Sequence, residues 1–410
     1  MNLSANKSLS PLIDAVTRNG FCTGCGLCES IAQVGAVQMR ISAEGYLRPV
    51  VMQALTEQAT DEINAVCPGI RVEHLQYNKK NHPIWGPLFS VNTGHAIDPE
   101  IRKLGSSGGV ISAIANYLLS SGKVDFVAQI ATSHSDPLAN EMQISYTRED
   151  VLRAAGSRYS PSAPLRGLRD LLATGKKFAF VGKPCDVAAL RRYAEINSEV
   201  KQQVLYMFSF MCAGVPSIKG THEVIKQLGA DIEKVISFRY RGDGWPGMAK
   251  AVEDDGKSYE MDYTTSWGTV LNKYLQFRCK ICPDGTGEFA DIVCADAWYG
   301  ADGYPDFTER DGRTLILART AVGQLLLDST CAANNISITP ISVDEIKKMQ
   351  PYQVERKQMV LGRILATRLA YGTAPIYRNL RLIRASLQTS GLTWLRSAWG
   401  TFKRTRKEQQ

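Results

Sequence analysis

The chain has no apolar run long enough to cross a bilayer, and no apolar segment behind a basic start marks a secretory signal. It contains no G-x-G-x-x-G signature in a βαβ unit, so an NAD(P)H site is not indicated. It also has no recognised nucleic-acid-binding module. These absences favour a cytoplasmic protein without a nucleic-acid partner, whose thiols stay reduced.

Acidic residues are almost missing from one end of the chain. From Arg356 onward, the chain contains twelve Lys and Arg residues and a single acidic residue, Glu408. This tail therefore carries a charge of +11, and residues 1–355 sum to −3 within the total of +8. The 410 residues, 44% of them hydrophobic and 21% charged, are typical of a globular protein of two or three domains.

Eight of the ten cysteines fall into two sets of four. The first set is Cys22-Thr-Gly-Cys25-Gly-Leu-Cys28, completed downstream by Cys67-Pro68. A C-x-x-C-x-x-C run places three thiolates around one tight loop, and a later Cys-Pro often supplies the fourth ligand of a 4Fe–4S cluster. The intervening glycines suit a backbone that curls closely round inorganic sulfide. The pattern predicts a cluster in a small ferredoxin-like module.

Two alternatives to a cluster exist for the first set. Zinc sites usually present C-x-x-C knuckles in pairs, and a third cysteine three residues further on is unusual for them. A disulfide framework suits a secreted chain better than a cytosolic one. The 4Fe–4S interpretation is favoured over both.

Short apolar runs alternate with helical stretches from about residue 91 to residue 345, which predicts an α/β domain. Within it, a turn of small residues at 105–109 precedes an apolar helix over residues 111–119. Its hydroxyls and the free N–H groups of a helix N-terminus suit a phosphate or pyrophosphate. An ordinary helix-capping loop is the alternative, because such turns are common.

The second cysteine set comprises Cys185, Cys212 and the pair Cys279-Lys-Ile-Cys282. Cys185 and Cys212 each follow a predicted parallel strand, and such strands end on the same side of a sheet, where α/β proteins bind ligands. Either cysteine alone could be a small buried apolar residue. The pair from one loop completes a fourfold site, which favours a second 4Fe–4S cluster. Cys294 is a rival ligand, although we assign it and Cys331 structural roles.

Eight segments between about residue 21 and residue 300 occur in an order that is more specific than any one of them. They are Cys22-x-x-Cys25-Gly-x-Cys28, Gly105-Ser-Ser-Gly-Gly, Gly156-Ser-Arg-Tyr-Ser, Gly182-Lys-Pro-Cys185-Asp, Cys212-Ala-Gly, Phe238-Arg-Tyr-Arg-Gly-Asp-Gly-Trp-Pro-Gly, Arg278-Cys-Lys-Ile-Cys-Pro-Asp and Ala290-Asp-Ile-Val-Cys-Ala-Asp-Ala-Trp. In this order the chain resembles the coenzyme F420 hydrogenase/dehydrogenase beta-subunit family, which also includes 7-hydroxymethyl chlorophyll a reductase and a divinyl chlorophyllide reductase. Ala295 departs from the family pattern, in which glycine is usual.

The resemblance implies an FAD beside the second cluster. It also implies that the ferredoxin-like module exchanges electrons with both. The residues that it assigns to the FAD phosphates are Ser106, Ser107, Gly108 and Gly109. The residues that it places along the flavin are Gly156, Ser157, Arg158 and Tyr159. Structural roles are the alternative for Arg158, as a surface ion pair, and for Tyr159, as a core aromatic. The catalytic acid or base is not identified.

The expected function is that of an iron–sulfur flavoprotein oxidoreductase. It would pass electrons between a carrier, either ferredoxin or reduced coenzyme F420, and an organic substrate reduced by the flavin. A flavin exchanges two electrons for single ones, and each cluster carries one. The alternative is an electron-transfer beta subunit that docks to a separate catalytic partner.

Three regions are expected along the chain. Residues 1–90 would form the ferredoxin-like module and a linker, residues 91–345 the α/β domain with FAD and the second cluster, and residues 346–410 a basic helical tail. Apolar residues follow helical spacing in that tail, at Leu392, Leu395, Trp399 and Phe402. One interpretation is an amphipathic anchor that makes the protein peripheral to an anionic membrane surface. The other is a helix packed on the body with a frayed basic end.

Overall fold

The structure is a computed structural model that describes residues 8–300 and 304–407. Its strands are β1 (Val37–Ile41), β2 (Leu47–Val51), β3 (Arg71–Glu73), β4 (Ser90–Ala96), β5 (Phe126–Thr132), β6 (Asn140–Ser145), β7 (Phe178–Gly182), β8 (Val204–Phe210), β9 (Val235–Arg239), β10 (Ala249–Glu253), β11 (Ser258–Met261), β12 (Ile292–Asp296), β13 (Thr314–Ala318), β14 (Ile336–Pro340) and β15 (Ile376–Arg378). Its α-helices are α1 (Pro11–Arg18), α2 (Leu27–Ile31), α3 (Glu57–Val66), α4 (Pro99–Leu104), α5 (Val110–Ser120), α6 (Arg148–Arg153), α7 (Leu168–Ala173), α8 (Pro184–Ala194), α9 (Ser198–Gln203), α10 (Ile218–Leu228), α11 (Phe277–Lys280), α12 (Ala321–Ala332), α13 (Glu345–Met349), α14 (Pro351–Tyr371), α15 (Leu382–Ser386) and α16 (Gly391–Lys407). A π-helical segment covers Thr264–Val270, and 3-10 turns cover Ile232–Lys234 and Leu271–Tyr274.

An eight-stranded mixed sheet organises the centre of the chain, in the order β14-β4-β13-β12-β8-β7-β5-β6. The four central strands, β12, β8, β7 and β5, run parallel, and antiparallel strands flank them on both sides. The predicted α/β architecture is confirmed. Because the central strands are parallel, their carboxyl ends open at a single edge of the sheet, where ligands bind in such folds.

The central strands are buried on both faces, which explains their nearly continuous apolar sequences. On one face Phe178 and Phe180 of β7 pack with Phe126, whose ring stacks on that of Phe178 at 4.9 Å. On the other face Ala179 and Val181 pack with α5. This double burial fixes the position of the strand ends.

A small N-terminal unit precedes the large sheet. Alternating apolar residues on either side of a glycine-containing turn at 42–45 form the antiparallel hairpin β1–β2. Ile13 of α1, Ala36 and Ile63 of α3 are buried together beside the hairpin. The hydroxyls of Ser10 and Thr56 cap α1 and α3 by accepting backbone N–H bonds, as helix N-termini favour.

The C-terminal residues pack closely against the rest of the protein. Strand β15 pairs in parallel with β3, which joins the end of the chain to its beginning. Helix α16 lies along α14, and Trp394 packs on Gly362, where a Cβ atom would lie 2.8 Å from the indole ring. Across the described residues, no helix combines the length and the apolarity that crossing a membrane would require.

A buried cluster of charges around Glu288 ties three segments together. The Glu288 carboxylate is fully buried and accepts bonds from Lys357 of α14, from Arg381 at 2.5 Å and from His74 Nε2 at 3.0 Å. Burial alone raises the pKa of Glu288, but Lys357, His74 and Arg381 outweigh it and hold the pKa well below the ordinary value of 4.5.

Substitution Glu288→Gln is therefore expected to lower the free energy of unfolding by about 3–5 kcal/mol at neutral pH, because it leaves buried cations unpaired. The carboxylate stabilises the fold most above its unfolded-state pKa, and this contribution fades as the pH falls below about 4.5 towards the lower folded-state pKa. Denaturant unfolding of both proteins at several pH values measures the difference. Glu260→Gln, which breaks an exposed pair with Lys250, is the control and should change little.

Candidate functional site

The carboxyl ends of the four central strands open into a cavity of about 660 Å³. Gln129 and Ile130 of β5, Val181 and Gly182 of β7, Phe210 of β8 and residues 294–296 of β12 contribute to its wall. Its size is within the range of cavities that hold cofactors and drug-sized ligands. The cavity therefore lies at the edge of the sheet where the sequence predicts ligand binding.

The small-residue turn at 105–109 forms one side of this cavity. Ser106, Ser107 and Gly109 line it, whereas Gly108 lies behind the wall and donates its backbone N–H to Thr314 Oγ1 at 2.8 Å. The Ser106 hydroxyl is buried and has no hydrogen-bond partner within residues 8–300 and 304–407, which is a costly state for a polar group. Gly109 has a φ of +72°, and a Cβ atom there would lie 2.5 Å from the Ile101 carbonyl. An unsatisfied hydroxyl beside the N-terminus of α5 fits a phosphate group.

The second predicted segment, 156–159, also lines the cavity, but Arg158 is engaged elsewhere. Its guanidinium donates to Asn140 Oδ1 at 2.7 Å and to the carbonyls of Phe238, Pro137 and Ala139. Arg158 is a half-buried brace that connects the loop before β6 with strand β9, and among the described residues it forms no ion pair. The rings of Tyr159 and Trp267 both line the cavity, with their centres 4.7 Å apart and their planes tilted by 46°.

An ion pair between Arg241 and Asp296, the last residue of β12, also lines the large cavity. Arg241 donates two bonds of 2.9 Å to the carboxylate of Asp296, and Trp245 Nε1 donates a third at 2.7 Å. The Arg241 guanidinium lies over the rings of Tyr263 and Trp298, at 4.7 and 5.4 Å. This arrangement fixes a cation and an aromatic surface at the cavity wall.

Lys183 and Asp186, at the start of α8, form a second buried pair at the wall. Lys183 Nζ lies 2.7 Å from Asp186 Oδ2 and donates to Ser162 Oγ at 3.0 Å. Asp186 Oδ1 is buried and has no partner. Burial raises the pKa of Asp186, and Lys183 acts against that rise.

The structure brings the second cysteine set together beside this cavity. Cys185 occupies the first turn of α8, Cys212 follows β8 and lines the cavity, and Cys279 and Cys282 bracket the end of α11. Burial raises the pKa of the Cys185 thiol well above 9.0, and the thiols of Cys212 and Cys282 raise it further. Burial and the neighbouring Cys279 thiol raise the pKa of Cys212 to about 12.

One backbone N–H and one side-chain amide donate hydrogen bonds to a sulfur atom of the second set. The N–H of Val215 donates to Cys279 Sγ at 3.3 Å, and Gln276 Nε2 donates to the same atom at 3.5 Å. Such bonds stabilise thiolates and tune iron–sulfur clusters. Metal binding requires deprotonated thiols, which accept such bonds well.

The first cysteine set surrounds a second, smaller cavity with apolar walls. All four thiols, those of Cys22, Cys25, Cys28 and Cys67, line it. Burial raises the pKa of Cys28 well above 9.0, and the other three thiols raise it further. Gly24 and Gly26 between them adopt φ of +78° and +84°, which glycine tolerates without strain. The loop geometry therefore fits the tight curl that a 4Fe–4S ligand loop requires.

The two remaining cysteines stand apart from both sets. Cys294 is buried within β12, and burial alone raises its pKa, without the contribution of another thiol. Burial, with Asp328 adding to it, raises the pKa of Cys331, whose side chain is half-buried on α12. Within residues 8–300 and 304–407, no three His, Cys, Asp or Glu side chains converge as the ligands of one metal ion.

Sequence reasoning missed the contribution of α14 to this region. Gln353 Nε2 and Arg356 Nη1 both donate to the Cys212 carbonyl, at 3.2 and 2.6 Å, and Arg356 Nη2 donates to the Cys279 carbonyl at 2.9 Å. Gln350 lines the large cavity. No motif marks these residues. Arg241, in contrast, lies within the segment from Phe238 that the family resemblance had already singled out.

Family models match most of the region that contains this site. The N-terminal model of the coenzyme F420 hydrogenase/dehydrogenase beta subunit matches residues 91–169, and the C-terminal model of the same subunit matches residues 175–344. The chain belongs to the coenzyme F420 hydrogenase/dehydrogenase beta-subunit family. The resemblance inferred from the ordered motifs is confirmed.

Individual relatives in this family are oxidoreductases or their subunits. The coenzyme F420 hydrogenase subunit beta of Methanococcus voltae is 28% identical over 306 residues, which cover 70% of this chain and 99% of that protein. The chloroplastic 7-hydroxymethyl chlorophyll a reductase of Oryza sativa is 24% identical, over 82% of this chain and 65% of that protein. The shared property of the family is oxidoreductase chemistry that involves electron transfer.

A solved structure has the same fold. A chain of the F420-reducing [NiFe] hydrogenase complex from Methanosarcina barkeri superposes with a TM-score of 0.56 and 21% identity. The match covers 72% of this chain and 98% of the other. The mixed α/β fold of the family therefore extends to this chain.

Proposed function

We propose that the chain is an iron–sulfur flavoprotein oxidoreductase that passes electrons between a carrier and an organic substrate. One observation carries the proposal. The cavity lined by Ser106 and Ser107, which fit a phosphate, is lined on another side by Cys212 of the second cysteine set. A dinucleotide held there would lie next to the thiols of a redox cluster.

The residues that we propose for each group combine the sequence motifs with the lining of the two cavities. Cys22, Cys25, Cys28 and Cys67 would hold one 4Fe–4S cluster, and Cys185, Cys212, Cys279 and Cys282 the other. The turn formed by Ser106, Ser107, Gly108 and Gly109, together with Gly156, Ser157, Arg158 and Tyr159, would hold FAD. A bound flavin supplies the exchange between two-electron and one-electron transfer, and each cluster carries single electrons.

The protein residues prepare the cavity for that chemistry. Tyr159, Tyr263 and Trp267 give it aromatic walls that exclude water. Lys183 and Arg241 place fixed positive charges at the wall, each neutralised by one carboxylate. The two pairs are neutral as a whole, so they would present fixed dipoles, and no net charge, to a ligand bound in the cavity.

The electron carrier is proposed to be reduced coenzyme F420 or ferredoxin. The names of several relatives refer to coenzyme F420, as in the hydrogenase subunit of Methanococcus voltae. A second candidate function is an electron-transfer beta subunit without a substrate of its own. The near-complete coverage of that hydrogenase subunit favours this candidate. A subunit would copurify with a partner and reduce only dyes, whereas an enzyme would turn over alone with its substrate.

The test is anaerobic purification followed by iron, sulfide and flavin analysis. The proposal predicts about eight irons and one FAD per chain, with absorbance from both groups. About four irons would show that one cysteine set is structural. A protein that remains free of iron and flavin after reconstitution contradicts the proposal.

We also propose that helix α16 makes a peripheral contact with an anionic membrane surface. The helix packs on the rest of the protein through Trp394, Thr401 and Thr405, as the interpretation of the tail as a packed helix expects. Its other side exposes Leu392, Leu395 and Trp399, by 71%, 58% and 58%. Leucine and tryptophan on the free side of a basic helix are typical of interfacial membrane helices.

Cations accompany this apolar side. Arg396, Lys403 and Arg406 are exposed, and the last two lie over the rings of Trp399 and Phe402 at 5.3 and 5.2 Å. Residues 356–407 contain no acidic residue. An anionic lipid surface complements both the charge and the apolar stripe.

The combined substitution Leu395→Ser and Trp399→Ser is expected to weaken binding to phosphatidylglycerol-containing vesicles by about tenfold or more, because each buried side chain contributes ~1.5–3 kcal/mol. Sedimentation with vesicles measures the effect. Val34→Ser, at an exposed apolar position in the N-terminal unit, is the control and should bind like the unaltered chain. Equal binding to neutral vesicles, or none to either kind, contradicts this contact.

A further inference from the structure

Arg278 is in contact with the backbone next to both cysteine sets. It directly precedes Cys279 in α11, and its Nη2 donates to the carbonyl of Pro68 at 2.9 Å. Pro68 directly follows Cys67. One side chain therefore connects a ligand loop of the first set with a ligand loop of the second.

The guanidinium of Arg278 is a buried charge without a carboxylate. The residue is 2% exposed, and among the described residues its Nε atom has no hydrogen-bond partner and its guanidinium forms no ion pair with an acidic side chain. Its planar group lies 5.4 Å from the ring centre of Tyr377. An unpaired buried cation is strongly destabilising unless negative charge is nearby.

Thiols of both sets lie close enough to Arg278 to interact with it electrostatically, and they would be negatively charged once bound to iron. Burial raises the pKa of Cys22 and that of Cys67, to about 11 for the latter, and Arg278 acts against the rise at both. Burial alone lowers the pKa of Arg278, but Tyr377 and the thiols of Cys282, Cys185 and Cys279 outweigh it and raise the pKa. Arg278 therefore interacts with members of both sets.

Two other arginines interact with one set only. Arg356 is 6% exposed, donates to the Cys212 and Cys279 carbonyls and interacts with thiols of the second set. Arg48 of β2 opposes the burial-induced rise in the pKa of Cys22, in the first set. Arg48 thus interacts with the first set and Arg356 with the second, whereas Arg278 interacts with both.

We infer that Arg278 is the shared counterion of the two clusters, which favours reduction of both and links them electrostatically. The inference rests on the proposed function, because it requires a cluster in each set. A cluster with four thiolates is anionic and becomes one charge more negative when it accepts an electron from the carrier. When that electron moves from one cluster to the other, the total charge around Arg278 is unchanged. Arg278 is thus a positioning residue that keeps the transferred electron near a fixed positive charge on both sides.

Substitution Arg278→Gln in the full chain is expected to make reduction of each cluster at least tenfold less favourable, which is about 59 mV for a one-electron couple. EPR-monitored redox titration of the anaerobically purified protein measures both couples. Variants Cys22→Ala and Cys212→Ala, each expected to lack one cluster, assign the two signals. Arg356→Gln should shift the second couple alone, and Arg48→Gln the first alone.

Conservative variants separate charge from structure. Arg278→Lys retains the cation and should keep both couples within about threefold of the unaltered chain, while Arg278→Met should behave like Arg278→Gln. Loss of both clusters in the two uncharged variants, with retention in Arg278→Lys, would support the same charge requirement. Loss in all three would assign Arg278 a purely structural role and overturn the inference.

Two further results separate this inference from the proposed function. An unaltered chain that never contains iron refutes the proposed function itself. A chain with about eight irons, in which Arg278→Gln leaves either couple unmoved, refutes only the shared counterion.

Discussion

Substitution Cys212→Ala is expected to halve the iron and sulfide content of the chain, from about eight to about four atoms of each. Cys212 supplies one thiol of the second set and also lines the large cavity. A cluster that loses one of its four protein ligands is strongly destabilised. Iron and sulfide analysis after anaerobic purification, with the visible spectrum, measures the loss.

The matched control for this experiment is Cys294→Ala. Cys294 is buried, lines the same cavity and follows Cys282 closely in sequence, yet no other thiol contributes to its pKa. Its replacement is expected to leave iron unchanged. Iron loss from Cys294→Ala equal to that from Cys212→Ala would instead make Cys294 the ligand, and the proposed second set would be wrong.

Substitution Ser106→Asp is expected to lower the affinity for FAD by about a hundredfold or more. The Ser106 hydroxyl is buried, unpartnered and part of the cavity wall, where we propose a phosphate group. A carboxylate there would lie buried against another anion, and such uncompensated charge costs several kcal/mol, at 1.4 kcal/mol for each tenfold. Flavin released on denaturation, and equilibrium binding to flavin-free chain, measure the change.

Two controls define the cause of any flavin loss. Ser106→Ala removes only the hydroxyl and is expected to cost ~0.5–1.5 kcal/mol, about threefold to tenfold in affinity. Ser120→Asp adds the same charge at the exposed far end of α5 and should have no effect. Full flavin content in Ser106→Asp would mean that the phosphates lie elsewhere.

The sequence predicted the part of the site that depends on strand ends and short motifs. Cys185 and Cys212 follow β7 and β8, and because those strands are parallel neighbours their distant positions meet at one edge. The pair Cys279 and Cys282 needed only its spacing to be recognised. The hairpin β1–β2 was equally local, since alternating apolar residues and a glycine turn define it.

Other parts of the site depend on tertiary packing that no local pattern encodes. Arg356 occurs in a long helix of ordinary composition, and only the docking of α14 turns it towards the Cys212 carbonyl. Arg158 was assigned to the flavin, with a surface ion pair as the alternative, yet its guanidinium donates to the carbonyls of Phe238 in β9 and of Ala139. Gly108 was expected to bind phosphate, yet its backbone N–H donates to the hydroxyl of Thr314, the first residue of β13. Long-range contacts decided each of these cases.

The pairing of β15 with β3 has a consequence for the order in which the protein is made. All eight proposed ligands precede residues 351–378 in the chain, and these later residues provide α14 and the parallel partner of β3. Until α14 is synthesised, the second thiol set lacks the Arg356 contacts to the Cys212 and Cys279 carbonyls. If the proposed cluster is inserted into the nascent chain, it would meet thiols that α14 does not yet cover. Docking of the C-terminal elements would then be the last step in enclosing the proposed ligands.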